Sequence, residues 1–250
     1  MTIHLTVVAD ETAAAIAAAD VVAATLEARP DAVIGFPTGA TPLQLYRELA
    51  RRVDRGELDL ARVIVVALDE YLGVPPHDPR SFSHYLRRHV LEPCGISEKW
   101  AVLLDGTAAH PSALAEPCAA HERWIRDRGG VDLQIVGVGR NGHLGFNEPG
   151  TPFDSRTRVA ALAPDTRRAN AEAFAPDPVP AAALTQGLAT IAAARTVLLL
   201  ATGEAKAGAV AAALTGEVDP SCPASVLQGH PDVRAIVDAA AASLLPATAR

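Results

Sequence analysis

One His, one Asn and one Glu lie within eight residues, from Asn141 to Glu148. His143 and Glu148 can take up and release protons, and Asn141 can orient a partner through hydrogen bonds. They follow the apolar run at residues 131–138, which has the composition of a buried strand. Polar groups at the carboxyl end of such a strand lie where an open α/β sheet binds ligands. This spacing predicts an acid–base site in the glycine-rich loop.

A dinucleotide-binding turn is the competing interpretation of this loop. Gly137, Gly139 and Gly142 match the spacing G-x-G-x-x-G. That fingerprint opens a helix, whereas the letters that follow here, HLGFNEP, contain two further helix breakers and no helical period. No acidic residue closes a second strand at the expected distance, so the sequence disfavours this interpretation.

Two carboxylates follow another apolar run, at residues 62–68. Asp69 and Glu70 would lie at the carboxyl end of a buried strand, where one of them can supply a general base. A carboxylate in this position can instead accept backbone N–H bonds and cap the loop. The residues alone leave both roles open.

Two further segments suit an anion. The turn PTGATP at residues 37–42 joins a strand to a helix, whose first N–H groups and dipole favour negative charge. It is not a P-loop, because the Gly-Lys-Thr ending is missing, and an ordinary turn capped by Thr41 fits equally well. Lys206 follows the strand TVLLLA and is either a phosphate ligand or a solvated surface lysine.

The elements that must position these groups alternate between strands and helices. Strands are expected at residues 3–8, 32–36, 62–68, 100–104, 131–138, 157–162, 196–201 and 233–237. Helices are expected from residue 10 or 12 to about 30, and at 42–55, 81–91, 112–128, 164–174, 180–193, 204–214 and 239–245. Strands rich in Val, Ile and Leu without polar alternation indicate a mostly parallel sheet covered on both faces. We therefore expect a single-domain, Rossmann-like three-layer α/β sandwich over residues 1–250.

The composition of the chain argues against several classes of function. The net charge is −7, with no basic tract, which argues against a nucleic-acid partner. No apolar run has membrane-spanning length, and the amino-terminal letters read as a strand and not as a signal peptide. The three cysteines are far apart and form no C-x-x-C motif, so neither a disulfide frame nor a zinc site is indicated. A cytoplasmic protein is the expectation.

Five segments together resemble a known enzyme family. PTGATP, LDEYLG, GVGRNGHLGFNEPG, SRTR and DTRRAN occur in the order found in the glucosamine-6-phosphate deaminases, also called glucosamine-6-phosphate isomerases. The similarity runs from about Ile34 to Val237. The related 6-phosphogluconolactonases share the fold but typically lack the F-N-E-P continuation.

The resemblance implies a role for individual residues. Asp69 matches the base that moves a proton from C2 to C1 of the opened sugar. His143 matches the residue that helps open the ring, Glu148 its carboxylate partner, and Asn141 a position that the family fills with Asp or Asn. The implied phosphate-binding residues are Thr38, Gly39, Ala40, Thr41 and Lys206.

The implied reaction is isomerisation of glucosamine 6-phosphate with loss of ammonia, which gives fructose 6-phosphate. It needs no metal, nicotinamide or pyridoxal cofactor. The expected partner is a small amino-sugar phosphate, and a homo-oligomer is left open. Two other functions remain as alternatives: a hydrolase resembling 6-phosphogluconolactonase, and a non-catalytic sensor of sugar phosphates.

One position departs from the family pattern. Glu172 occupies the place of an arginine that the family sets on the phosphate, and a carboxylate there would repel a phosphate dianion. Arg168 precedes Glu172 by four residues, so on a continuous helix it would share a face with Glu172 and could bind the phosphate instead. Alternatively, the pocket takes a different or unphosphorylated amino sugar, with Glu172 accepting hydrogen bonds from it.

Overall fold

The computed structural model describes residues 3–107 and 111–247. Its strands are β1 (Ile3–Val8), β2 (Val33–Phe36), β3 (Ile64–Ala67), β4 (Asp69–Tyr71), β5 (Ala101–Val102), β6 (Leu133–Gly137), β7 (Arg158–Ala161), β8 (Ala182–Thr185), β9 (Thr196–Ala201) and β10 (Val233–Asp238). Seven of them form one sheet in the order β1-β10-β9-β6-β2-β3-β5. Every neighbouring pair in this sheet is parallel.

Helices connect these strands. They are α1 (Glu11–Ala28), α2 (Leu43–Asp54), α3 (Phe82–Leu86), α4 (Ala115–Asp127), α5 (Pro164–Ala169), α6 (Ala171–Phe174), α7 (Leu188–Ile191) and α8 (Ala207–Thr215). A π-helical turn, Arg87–Leu91, continues α3. The Asp10 carboxylate accepts the Ala13 N–H at 2.9 Å and so caps α1, as its position in the sequence predicts.

Two hydrophobic cores lie on opposite faces of the large sheet. Alternate residues of each strand contribute to opposite cores, because successive side chains of a strand point to opposite faces. Helices α1 and α2 cover one core, and α4 and α8 cover the other. The adjacent pairs that divide in this way include Val65 and Val66, Ile135 and Val136, and Leu198 and Leu199. The predicted three-layer α/β arrangement with a mostly parallel sheet is confirmed.

A second, antiparallel sheet is absent from the sequence-based expectation. It has three strands in the order β4-β8-β7. Its central strand, β8, falls inside residues 180–193, where we predicted a helix, so that prediction is wrong for residues 182–185 and holds only for the short α7. The run of three alanines favours a helix locally. The segment is a strand because it pairs on one side with β4 and on the other with β7, burying Leu184 and Thr185.

Three smaller differences concern helix and strand limits. Asp69–Tyr71, expected only as the end of the third strand, forms a separate strand, β4. The helix expected at 164–174 is divided at Asn170 into α5 and α6. Residues 239–245 form turns and not a helix, since seven residues at the end of a strand give few helical hydrogen bonds to offset nucleation. Among residues 3–107 and 111–247, no helix is long and apolar enough to cross a membrane.

Candidate active site

The predicted functional segments follow four adjacent strands of the large sheet. Lys206 comes after β9, the loop of residues 139–148 (the His143 loop) after β6, the 37–42 turn after β2, and Asp69 after β3. These strands are neighbours in the order β9-β6-β2-β3, and they are parallel. Their carboxyl ends therefore meet at one edge, which brings all four segments together.

Glycines shape the His143 loop. The Gly139 N–H donates to the His143 carbonyl oxygen at 2.9 Å, which closes a tight turn. A Cβ added to Gly139 would lie 2.2 Å from the His143 ring, so only glycine leaves room for the imidazole. Gly145 has a φ of +56°, which a residue with a Cβ rarely adopts. The loop thus seats the histidine ring directly against its own backbone.

A chain of hydrogen bonds links His143 to Glu148 through Asn141. Nδ1 of His143 lies 2.7 Å from Oδ1 of Asn141, and Nδ2 of Asn141 donates to Oε2 of Glu148 at 3.0 Å. The carboxylate accepts only, so the amide nitrogen must face Glu148 and the amide oxygen must face the imidazole. Nδ1 then carries the proton and donates it to Asn141, which leaves Nε2 free to accept another.

The electrostatic surroundings favour the neutral form of His143. Burial is the main cause that lowers its pKa; the Glu148 carboxylate opposes this, and the Lys206 ammonium adds to it. Nδ1 of His143 and the nearest Glu148 oxygen are 3.8 Å apart, with Asn141 bridging them. A neutral imidazole with a carboxylate close by can accept a proton and then be stabilised in its charged form.

Asp69 lies beside this loop, inside the protein. Its side chain is buried, and among the described residues Oδ1 has no hydrogen-bond partner. A Cβ added to Gly145 would lie 3.4 Å from Oδ2 of Asp69, which places the carboxyl against the His143 loop. Burial, with a smaller contribution from the Glu70 charge, raises the pKa of Asp69 to about 8. The carboxyl is therefore poised to exchange a proton near neutral pH.

The neighbouring Glu70 is bonded quite differently. Its Oε1 accepts the N–H groups of Tyr71 and Phe82, at 2.9 and 3.0 Å. Its Oε2 accepts the Ser81 hydroxyl at 2.7 Å and the Ser83 N–H at 2.8 Å. Both oxygens are thus used to hold the amino-terminal end of α3. Glu70 therefore caps the amino-terminal end of α3. Asp69, which makes no such bonds, is the one of the two carboxylates available as a base.

The 37–42 turn presents backbone donors. Two tyrosine hydroxyls fix it from below: Tyr46 donates to the Pro37 carbonyl at 2.5 Å and Tyr85 to the Gly39 carbonyl at 2.6 Å. The N–H groups of Gly39, Ala40 and Thr41 donate to no acceptor among the residues that the structure describes. Gly39 has a φ of +111°, and α2 begins directly after the turn. Free N–H groups at a helix start suit an anion. The N-cap position of α2 is Pro42, which makes no side-chain cap, and the Thr41 side chain makes no hydrogen bond among the described residues.

Lys206 reaches the base of the His143 loop. Its Nζ donates to the Val138 carbonyl oxygen at 2.8 Å. Burial lowers the pKa of Lys206, and the nearby charge of Arg140 lowers it further. The ammonium is held at the end of β6 by a neutral partner, which leaves its charge available to a bound anion.

The structure changes the expectation for Arg168 and Glu172. The break at Asn170 removes the continuous helix on which the two would share a face. Arg168 is exposed and pairs with Asp165, while Glu172 is exposed on α6 with no ion pair among the described residues. Arg168 and Glu172 therefore do not share a helix face in this structure, and neither side chain is drawn into the site; a role of either in binding the substrate stays a prediction.

Two residues at the site were missed from the sequence. The Thr166 hydroxyl donates to Oε1 of Glu148 and so ties α5 to the His143 loop. Asn147 is fully buried; its amide nitrogen donates to the carbonyls of Leu144 and Gln186, both at 2.8 Å, and its oxygen accepts from Arg158. Both lie in quoted motifs, DTRRAN and F-N-E-P, but neither side chain titrates, so proton chemistry alone did not single them out.

A separate cavity of about 1300 Å³ lies beside α4 and β7, away from the predicted site residues. Glu122 and Arg156 line it. In the described parts of the chain, no group of three or more His, Cys, Asp or Glu side chains could hold a metal ion.

Comparison with known proteins places these features in context. Residues 6–235 match the family model for glucosamine-6-phosphate isomerases and 6-phosphogluconolactonase. The chain is 48% identical to a glucosamine-6-phosphate deaminase of Streptomyces coelicolor, over 91% of this chain and 87% of that one. It is 42% identical to the deaminase of Bacillus velezensis, over 90% and 92% of the two chains.

Solved structures agree in fold. A monomeric glucosamine-6-phosphate deaminase superposes with a TM-score of 0.90 at 38% identity, covering 98% of this chain and all of that one. The 6-phosphogluconolactonase of Leishmania guyanensis superposes with a TM-score of 0.78 at 20% identity, covering 99% of this chain and 100% of that one. The second similarity shows a shared fold only.

Proposed function

The chain belongs to the family of glucosamine-6-phosphate isomerases and 6-phosphogluconolactonases, and we propose that it catalyses the deaminating isomerisation of glucosamine 6-phosphate to fructose 6-phosphate. It is an enzyme of the deaminase branch, since relatives 41–48% identical over most of the chain are glucosamine-6-phosphate deaminases. We also propose a step of the reaction for each residue of the site.

One observation carries the assignment: a buried carboxyl, whose Oδ1 has no hydrogen-bond partner among the described residues, lies against a loop in which an imidazole is oriented by a hydrogen bond. The Asp69 carboxyl borders Gly145, and His143 is hydrogen bonded to Asn141 two residues earlier in that loop. An aldose–ketose isomerase needs both groups, one to open the ring and one to move a carbon-bound proton. Their placement around one small volume supports this reaction.

We assign ring opening to His143. Its free Nε2 accepts the proton of the anomeric hydroxyl as the bond between C1 and the ring oxygen breaks. The imidazolium is stabilised by Glu148, through Asn141, and then returns a proton to the ring oxygen. The step ends with an open-chain aldehyde and a neutral imidazole, ready for another turnover.

We assign the isomerisation step to Asp69. Its ionised carboxylate takes the proton from C2 while a proton of the C2 ammonium group passes to the C1 oxygen, which gives an enolamine, and Asp69 then delivers its proton to C1. C2 is left as an iminium carbon, to which water adds before ammonia leaves and the C2 ketone of fructose 6-phosphate forms. The raised pKa of Asp69, about 8, makes the carboxylate a stronger base than an exposed aspartate and the acid a ready donor.

The substrate phosphate is assigned to the free N–H groups of the 37–42 turn together with Lys206. Thr38 and Thr41 add hydroxyls that have no hydrogen-bond partner among the described residues. A helix start and an ammonium, on the ends of the two strands that flank β6, form the usual surroundings of a phosphate dianion.

An ammonia-release assay tests the function. The purified protein is incubated separately with glucosamine 6-phosphate, galactosamine 6-phosphate and unphosphorylated glucosamine, and ammonia and fructose 6-phosphate are measured. We expect turnover with the first substrate and at least a tenfold preference for it. Faster release from glucosamine would mean that Glu172 belongs to a pocket for unphosphorylated sugar. Hydrolysis of 6-phosphogluconolactone without any ammonia release would refute the proposal in favour of the lactonase branch.

Two expectations from the sequence stay predictions. Cell fractionation tests the cytoplasmic location, and light scattering of the purified protein tests whether it forms a homo-oligomer. The solved deaminase compared above is monomeric, which makes that state the simplest expectation for this chain.

A further inference from the structure

Two cations lie close together at the end of β6. The Lys206 ammonium is held at 2.8 Å by the carbonyl of Val138, and Arg140 follows Val138 by two residues. Two residues of extended chain span at most about 7 Å. The charge of Arg140 also lowers the pKa of Lys206, which agrees with this proximity.

Neither cation has a counter-ion among the described residues. The ion pairs of the structure include neither Arg140 nor Lys206, and Arg140 makes no hydrogen bond within the residues described. Arg140 is exposed, so its guanidinium is free to move toward a ligand. Two like charges brought together without an acidic neighbour repel each other, and a bound anion removes that repulsion.

The topology places Arg140 between the other anion-binding groups. Strand β6 is flanked in the sheet by β9, which leads to Lys206, and by β2, which leads to the 37–42 turn. The loop after β6 therefore emerges between the ammonium and the free N–H groups. A guanidinium on this loop can add two parallel hydrogen bonds to the same phosphate.

The other arginines near the site are less suited. Arg168 is already paired with Asp165 and is exposed on α5. Arg167 has a buried Nε without a hydrogen-bond partner among the described residues, but it lies on α5 and not at a strand end of the large sheet. Arg140 alone among these three belongs to a segment that adjoins Lys206.

We propose that Arg140 is a substrate-binding residue that holds the substrate phosphate together with Lys206 and so determines the preference for phosphorylated amino sugars. This assignment rests on the proposed function and extends it. It also accounts for a carboxylate at Glu172, because the guanidinium comes from the His143 loop and not from α6.

The test compares Arg140→Ala with Arg140→Lys, Arg168→Ala and a control, Arg55→Ala, which replaces an exposed arginine at the end of α2. We expect Arg140→Ala to raise the KM for glucosamine 6-phosphate about 10- to 100-fold, with kcat changed less than threefold, because a charge-assisted contact to the non-reacting phosphate is lost. Arg140→Lys should recover part of the loss, and Arg55→Ala should behave as the unsubstituted enzyme.

The preference for phosphate gives a second measurement. In Arg140→Ala the ratio of kcat/KM for glucosamine 6-phosphate over glucosamine should fall by the same factor, and inhibition by inorganic phosphate should weaken. An unchanged KM in Arg140→Ala, or a KM raised only by Arg168→Ala, overturns the assignment.

Calorimetric titration with inorganic phosphate separates this proposal from the proposed function. If the unsubstituted protein releases no ammonia but binds phosphate in a way that Arg140→Ala weakens, the reaction is wrong and the phosphate ligand is right. If ammonia is released and phosphate binds equally well to both proteins, the phosphate assignment fails while the reaction stands.

Discussion

Two regions of the site hold their acid–base groups in opposite ways. In the His143 loop, the imidazole, the Asn141 amide, the Glu148 carboxylate and the Thr166 hydroxyl form an unbroken chain of hydrogen bonds. In β4, one oxygen of the Asp69 carboxyl is buried with no partner among the described residues. In the loop, hydrogen bonds fix the orientation of the imidazole. In β4, packing fixes the position of the Asp69 carboxyl and leaves its Oδ1 without a hydrogen bond among the described residues.

The contrast is the physical reason for proposing Asp69, and not the adjacent Glu70, as the base. Hydrogen bonds to a carboxylate stabilise its charge and occupy its lone pairs. Glu70 accepts four such bonds, and its oxygens are used up in holding α3. Asp69 lies one residue earlier on the same strand, but it faces the His143 loop and accepts none of them. The hydrogen bonds that each carboxylate accepts, and not its residue type, distinguish the capping role of Glu70 from the proposed catalytic role of Asp69.

The largest expected effect is on catalysis by Asp69. Replacing it with asparagine keeps the shape and removes the proton acceptor. We expect kcat to fall about 10²- to 10⁴-fold, the usual contribution of a general base, with KM changed little. Steady-state assays of ammonia release measure this. A kcat within threefold of the unsubstituted enzyme would show that the unbonded carboxyl is not the base.

Glu70 should show the opposite behaviour, a loss of stability. Glu70→Gln turns one acceptor oxygen into an NH2 group that faces backbone N–H donors. We expect the free energy of unfolding to drop by about 2–4 kcal/mol. Urea denaturation measures it, with Asp69→Asn as the matched neighbour, for which no loss of stability is expected. Equal destabilisation by both variants would contradict the division of roles.

Ionisation of Asp69 as the pH rises should increase the activity and decrease the stability of the protein. The pKa is about 8 in the folded protein against an ordinary value of 3.8, so between these values the folded state binds more protons than the unfolded state. Stability should therefore fall as pH rises through this window, while kcat/KM rises about tenfold per unit below pH 8 as the base ionises.

Asp69→Asn supplies the control for this pH experiment. Lacking the titrating group, it should lose the fall in stability between about pH 4 and pH 8 that Asp69 contributes, which urea denaturation at several pH values measures. A pH profile of the unsubstituted enzyme that is flat from pH 6 to 8 would mean that Asp69 is already ionised there.

The smallest expected effect concerns Thr166. Thr166→Val removes the hydroxyl that donates to Glu148, and the loss of one hydrogen bond to an oriented carboxylate should lower kcat/KM about 2- to 10-fold. Thr190→Val is the matched control, because it removes a hydroxyl that donates to Glu122 at 2.5 Å, outside the site. If both variants lose the same activity, the effect is general and the bond to Glu148 has no special role.

The sequence predicted much of the large sheet and the groups at its edge. Apolar runs without polar alternation gave the parallel strands, since a strand buried on both faces has no polar face to show. Asp69, the 37–42 turn, His143 and Lys206 could be placed together because parallel strands end at one edge. The three-stranded sheet could not be predicted, because β8 consists of residues with helical preference that become a strand only when β4 and β7 flank them.

What the sequence determined by itself was therefore the order of the strands along the chain in the large sheet, the family and the set of titrating residues, which depend on local pattern and spacing. Only the tertiary structure decided which carboxylate is bonded and which is free, that α5 and α6 separate Arg168 from Glu172, and that Arg140 and Lys206 share one strand end. These features depend on contacts between segments that are far apart in the chain: which groups are hydrogen bonded, which are buried and how far apart the charges lie. A local pattern of residues therefore cannot predict them.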